Sequence, residues 1–183
     1  MDEHQMVWNE KVARDIIKHL EKRRMGGSYS PTAVQAKGEI VKMIPQGATV
    51  YRCGSMTAVG MDLWGEIMKL PDVEVINPFE PGLSPEEAFE LRRKGLTADV
   101  MIASSNAITL DGKLVNLDGT GNRVAAMTFG PKKVILVVGM NKVAPDLDSA
   151  IARVRHYAGP VNVIRLGYKN PCAETGLCTD CNS

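Results

Sequence analysis

Val100-Met-Ile-Ala-Ser-Ser-Asn-Ala-Ile-Thr-Leu-Asp-Gly-Lys-Leu-Val-Asn-Leu-Asp-Gly-Thr-Gly-Asn-Arg123 is the stretch whose reading decides the fold. It opens on a short, continuous apolar run, Val100 to Ala103, and a second such run, Val134 to Val138, follows it. Runs of this kind are what strands buried on both faces of a parallel sheet look like. Between them lies a polar, glycine-rich segment that must find partners for its backbone groups. Asp111-Gly112, between Ala107–Leu110 and Lys113–Leu117, is a two-residue hairpin signal. Gly121 to about Phe129 reads as a helix.

Outward from this stretch, strands and helices alternate. Ala48–Arg52, Val73–Ile76, Asp99–Ala103, Lys133–Val138 and Val161–Arg165 are β-prone. Helices are expected over 5–24, from a Ser30 cap with Pro31 to Pro45, over 56–69, from the Ser84-Pro-Glu-Glu87 capping box to Gly95, and over 146–157. In the 56–69 helix, Met61, Trp64, Ile67 and Met68 form the expected buried side. The alternation predicts an α/β fold, a three-layer α/β/α sandwich around a mostly parallel sheet. Residues 1–167 are expected to form a single α/β domain, with a helical part over 1–45. Residues 168–183 form an irregular cysteine-containing tail.

Composition narrows the function classes. The 44% apolar and 23% charged content is that of an ordinary soluble globular chain. No apolar run approaches the roughly 20 residues of a membrane span. The polar, acidic start, Met-Asp-Glu-His-Gln, does not read as a secretory signal, so the cytoplasm is the expected location. A net charge of +1 and few aromatics argue against a nucleic-acid partner.

Three constellations carry candidate chemistry. In the first, a strand ends in Arg52-Cys-Gly-Ser-Met-Thr57 and turns into a helix. Gly54, Ser55 and Thr57 would cradle an anion there, although a plain capped strand–helix turn gives the same residues. In the second, Ser104, Ser105, Asn106, Asn116, Gly119, Thr120, Gly121, Asn122 and Arg123 crowd beside two core strands. Asn106, Asn116 and Asn122 would hydrogen-bond a ligand, and the planar fork of Arg123 would neutralise it. Asp118 would either orient Arg123 or, like Asp111, serve as a catalytic base. The third is Cys172-x5-Cys178-x2-Cys181. Its Cys-x2-Cys pair suits a shared metal, and thiolates suit both zinc and an iron–sulfur cluster. Three thiolates are one short of either site. Cys53, His156, water or a partner chain would have to complete it; unligated thiols are the alternative.

The run Asn116-Leu-Asp-Gly-Thr-Gly-Asn-Arg-Val-Ala-Ala-Met-Thr-Phe-Gly-Pro-Lys-Lys-Val-Ile135 resembles the LUD-domain, or lactate-utilisation, family. Gly54-Ser-Met-Thr57 and the tail Pro171-Cys-Ala-Glu-Thr-Gly-Leu-Cys-Thr-Asp-Cys181 share in the resemblance. It implies a fold like that of the glucosamine-phosphate deaminase, ribose-phosphate isomerase and CoA-transferase group. It also implies a link to oxidation of lactate to pyruvate beside iron–sulfur partner subunits. The family's tails usually carry a further cysteine soon after the third, so the resemblance adds a residue beyond Ser183 to the groups that could complete the set. Ser104 to Thr120 is similar in layout to a sugar-phosphate isomerase segment, with Asn116, Gly119 and Thr120 matching. The isomerase's catalytic aspartate falls on Asn106, and an amide cannot shuttle a proton as a carboxylate does. No counterpart of a CoA-transferase glutamate nucleophile is evident.

These readings converge on a small anionic metabolite bound at the carboxyl ends of the strands, in an accessory component of lactate oxidation. An enzyme acting on a phosphosugar or an acyl or CoA-type substrate is the first alternative. A zinc or iron–sulfur module in the tail is the second. Self-association is compatible with either.

Overall fold

The computed structural model describes residues 2–181; Met1 and the last two residues of the tail, Asn182 and Ser183, lie outside the described residues. In chain order the elements are α1 (Glu3–Glu21), α2 (Ala33–Lys42), β1 (Thr49–Arg52), α3 (Met56–Gly60), α4 (Leu63–Ile67), β2 (Glu74–Ile76), α5 (Pro85–Lys94) and β3 (Val100–Ala103). They continue as β4 (Ala107–Thr109), β5 (Leu114–Val115), α6 (Asn122–Thr128), β6 (Lys133–Leu136), β7 (Val143–Ala144), α7 (Leu147–Arg153), α8 (Gly159–Leu166) and α9 (Pro171–Thr175). The chain forms two compact units. Residues 30–104 and 120–138 make a sheet unit, and residues 1–29, 105–119 and 139–183 make a hairpin unit.

The sheet unit is built on four parallel strands in the order β2-β1-β3-β6. Side chains alternate across a strand, and the strand sequences use both faces. Val50, Val100 and Ile102 pack on one side with Ile40 of α2, Ala58 of α3 and Leu63, Trp64 and Ile67 of α4. Tyr51, Met101 and Ala103 pack on the other with Leu91 of α5 and Ala126 of α6. Helices therefore cover both faces, and the unit is a three-layer α/β/α arrangement, as the alternation predicted.

The strand order reverses beside β1. From β1 the chain moves outward to β2, then returns to place β3 on the other side of β1 and moves on to β6. Below this crest, Asp99 ties the two central strands at their starts. Its carboxylate accepts from the Thr49 backbone N–H (2.9 Å), the Thr49 hydroxyl (2.8 Å) and Lys132 Nζ (2.8 Å). The Lys132 bond, then those from Thr49, hold Asp99 well below the usual carboxylate range.

In the hairpin unit, β5 and β4 pair antiparallel, with Ala107 opposite Val115 and Ile108 opposite Leu114. β7 pairs parallel with the far side of β4. The turn uses Asp111-Gly112, with Gly112 at φ +78, as the sequence signal requires. The core here is small-residued: Ala107, Ala144, Ala150 and Val154. Arg23, just past α1, donates to the Asp111 carbonyl at 2.7 Å and fastens that helix to the hairpin tip.

Five expectations are corrected. The single helix over 56–69 is two short helices. Asp62 adopts the left-handed conformation at φ 51, which aspartate tolerates better than most residues, and its side chain lies against Gly65. The break re-phases the second helix, so Leu63 is buried while Met68 stays 66% exposed. The strand expected over 161–165 is helix α8, which follows α7 through a π-helical turn at Val154–Ala158. Pro160 lies where the π-helical turn runs on into α8, and Gly167 ends α8 at φ 69. The cap of α2 is Thr32 rather than Ser30, accepting from the Gln35 N–H at 3.2 Å. The two-residue strand β7 was not expected, and the tail contains the short helix α9 where irregular chain was expected.

Candidate functional site

The carboxyl crest of the sheet unit is assembled from loops that leave neighbouring strands. β1 runs into Cys53 and Gly54, and the Cys53 N–H donates to the Ile102 carbonyl at 3.1 Å, so the two central strands end together. Ser104 follows β3 directly and is buried. After the reversal point the chain leaves β1 into α3 on one face, while α6 covers the other.

Gly54 is exposed and Ser55 is buried as the cap of α3, its oxygen accepting from the Ala58 N–H at 3.1 Å. Thr57 is half-buried in the first turn of α3. Asn122 opens α6 and reaches β1: its Nδ2 donates to the Tyr51 hydroxyl at 3.1 Å and lies 3.9 Å from Cys53 Sγ. Thr120 in turn donates to Asn122 Oδ1 at 2.6 Å. Gly121 precedes α6 at φ +77. Arg123 is 9% exposed, and its Nη1 donates to the Ser104 carbonyl at 2.7 Å. The segment starting at Cys53 and the segment ending at Arg123 thus meet across the reversal point.

Tyr51 is fully buried, and that burial, reinforced by Cys53, pushes its phenol well above the ordinary value. It is a neutral donor–acceptor fixed beneath the crest. Arg52 is the group the sequence reading left without a role. Its guanidinium lies 5.2 Å from the Trp64 ring centroid and 5.9 Å from that of Phe79, which sits in the loop after β2. Burial lowers its pKa, and the Glu80 carboxylate opposes the shift. The only sequence signal for it was position, a cation at the carboxyl end of a strand that reads as central.

The remaining candidates belong to the hairpin unit, where they are largely spent on its own backbone. Ser105 donates to the Ala107 carbonyl at 2.8 Å and the Val115 carbonyl at 3.3 Å. Asn116 Oδ1 accepts from the Asn106 N–H at 3.3 Å, and Asn106 Oδ1 accepts from the Leu117 N–H at 3.0 Å. Gly119 is exposed. Asp111 accepts from Lys113 and from the Thr109 hydroxyl, and these bonds hold its carboxyl down at about 2. Such a carboxylate is a weak proton acceptor at neutral pH. Asp118 is half-buried near the end of this segment. Arg153, which the sequence reading passed over, stacks on Tyr157 and donates to the Asn106 carbonyl at 2.7 Å.

In the tail, Cys172 is buried, Cys178 half-buried and Cys181 exposed, while Cys53 is buried in the sheet unit; among the described residues none of the four forms a disulfide. Arg155 pairs with Asp180 and holds the tail to the π-helical turn. Among the described residues no group of three or more His, Cys, Asp or Glu side chains is placed to hold a metal ion.

A family model described as the LUD domain matches residues 13–182. The chain belongs to the LUD-domain family. This LUD-domain chain is thereby related to lactate utilisation. No curated protein matches it, and no solved structure matches it. Among the described residues, no helix of this LUD-domain chain is long and apolar enough to cross a membrane.

Proposed function

We propose that this LUD-domain chain is an accessory component of lactate oxidation to pyruvate, binding a small anionic metabolite at the carboxyl crest of its sheet unit. The observation that carries the reading is the reversal of strand order between β2-β1 and β3-β6, with Asn122 bonded to Tyr51 beside Cys53 at that point. In open parallel sheets the diverging loops at a reversal leave a crevice outside the strand ends, and ligands use it. Gly54 leaves the backbone open to a ligand, Ser55 keeps its hydroxyl proton for one, and Asn122 and Arg123 hold the two sides in register. Iron–sulfur subunits remain the proposed protein partners and the cytoplasm the proposed location. The enzyme alternative needs a base, and Asp111 is tied down by Lys113 and Thr109.

The test is a thermal-shift screen followed by calorimetric titration of the full chain with pyruvate, L-lactate, inorganic phosphate, ribose 5-phosphate and CoA. Saturable binding that Asn122→Ala weakens about tenfold or more is expected, as for loss of one well-placed buried hydrogen-bonding group. Failure of every probe to bind, or an Asn122→Ala variant that binds as well as the parent, would overturn the reading.

A further inference from the structure

We propose that Arg52 is the anion anchor of the sheet unit's crest and that its planar N–H fork receives the carboxylate of a small organic acid. The proposal rests on the crest-binding reading and deepens it. Arg52 ends β1, on the face opposite Tyr51 and Cys53, at the strand from which the order reverses. Its guanidinium is held between two rings, with Trp64 beneath it in the core and Phe79 beside it in the loop after β2. Trp64 is 5% exposed and Phe79 41% exposed, so one ring is a fixed floor and the other a rim. Among the described residues the guanidinium donates no hydrogen bond and closes no salt bridge. Its nitrogens keep access to solvent, so the donors are open to a ligand that displaces water.

Stacking occupies the faces of a guanidinium and leaves its edges. The edges carry the N–H fork that fits two oxygens of a planar carboxylate. An arginine held by rings has also given up most of its rotamer freedom before a ligand arrives, so binding costs less. Arg123 is a poorer anchor because its guanidinium already serves the Ser104 carbonyl from a buried position.

The experiment is calorimetric titration of the full chain at pH 7.5 with acetate, pyruvate and L-lactate as monocarboxylates, and with inorganic phosphate and ribose 5-phosphate as dianions. The parent should bind at least one monocarboxylate saturably. Arg52→Gln should weaken that binding about 10- to 100-fold, the value of a charged, bidentate contact. Arg52→Lys keeps the charge but loses the fork, and should fall between the two; it also serves if the glutamine variant does not fold by circular dichroism. Unchanged affinity in the folded Arg52 variants, or binding of the dianions alone by the parent, would each overturn the assignment. If Asn122→Ala loses binding while Arg52→Gln keeps it, the anchor is wrong and the crest reading stands. If the parent binds no probe, both fall.

Discussion

Replacing Arg123 separates a structural clamp from a ligand contact. Its Nη1 donates to the Ser104 carbonyl at 2.7 Å, and the side chain is 9% exposed. A hydrogen bond from a charged donor contributes about 1.5–3 kcal/mol. Some packing of the aliphatic stem goes as well. Arg123→Ala is therefore expected to cost about 2–3 kcal/mol of stability. For a chain of this length that lowers the melting midpoint by roughly 5–10 °C. Arg123→Met keeps the stem without the donor and should lose most of the same amount. Arg123→Lys, with a single flexible ammonium able to reach the carbonyl, should lose less. Urea unfolding followed by circular dichroism measures all three. If the Ala and Met variants both lie within about 0.5 kcal/mol of the parent, the scale of an uninvolved surface change, the clamp is not a stabilising contact. Arg123 would then be available to a ligand, as its place in the sequence first suggested.

Three further outcomes are expected. Gly95→Ala should destabilise by about 1–3 kcal/mol in calorimetric melting, the range for overpacking, because a Cβ there would lie 2.5 Å from Cδ2 of the buried Tyr51 ring; an unchanged midpoint would mean that the ring does not press on that backbone. Asp111 has a folded pKa of about 2, below its unfolded value, so its contribution is present above about pH 4 and is lost as pH falls towards 2. An acid titration of stability should therefore be shallower over that window in Asp111→Asn, and parallel curves would refute the tie to Lys113. Native alkylation read by mass spectrometry should modify the exposed Cys181 first and Cys178 next, with Cys53 and Cys172 slow; early labelling of Cys53 would contradict its place beneath the crest.

The parallel sheet was legible because its strands are fully buried, and their short apolar runs have no other good use. Val100–Ala103 is the clearest case, buried at every position. The hairpin was legible because Asp111-Gly112 names its own turn chemistry. What failed was Val161–Arg165, where a short β-branched stretch interrupted by Asn162 fits a strand or a helix equally. The Gly159-Pro160 that reads as a break lies where the π-helical turn runs on into α8. The break at Asp62 was invisible because nothing local forbids a helix there. The polar crowding of 104–123 was read as one site, yet Ser105, Asn106 and Asn116 bond their own hairpin while Asn122 and Arg123 bond β1 and the end of β3 in the other unit. Sequence proximity cannot separate the two uses, because a residue that caps backbone and a residue that binds ligand carry the same donors and acceptors.

The two sides of β1 end in different chemistries. Tyr51 and Cys53 point to the α5/α6 face and are closed over by Asn122, with the phenol kept neutral by burial. Arg52, between them in sequence, points to the α3/α4 face, where the rings hold it without satisfying its donors. The alternation of a strand thus puts the phenol and the thiol on one side of the crest and the guanidinium of Arg52 on the other.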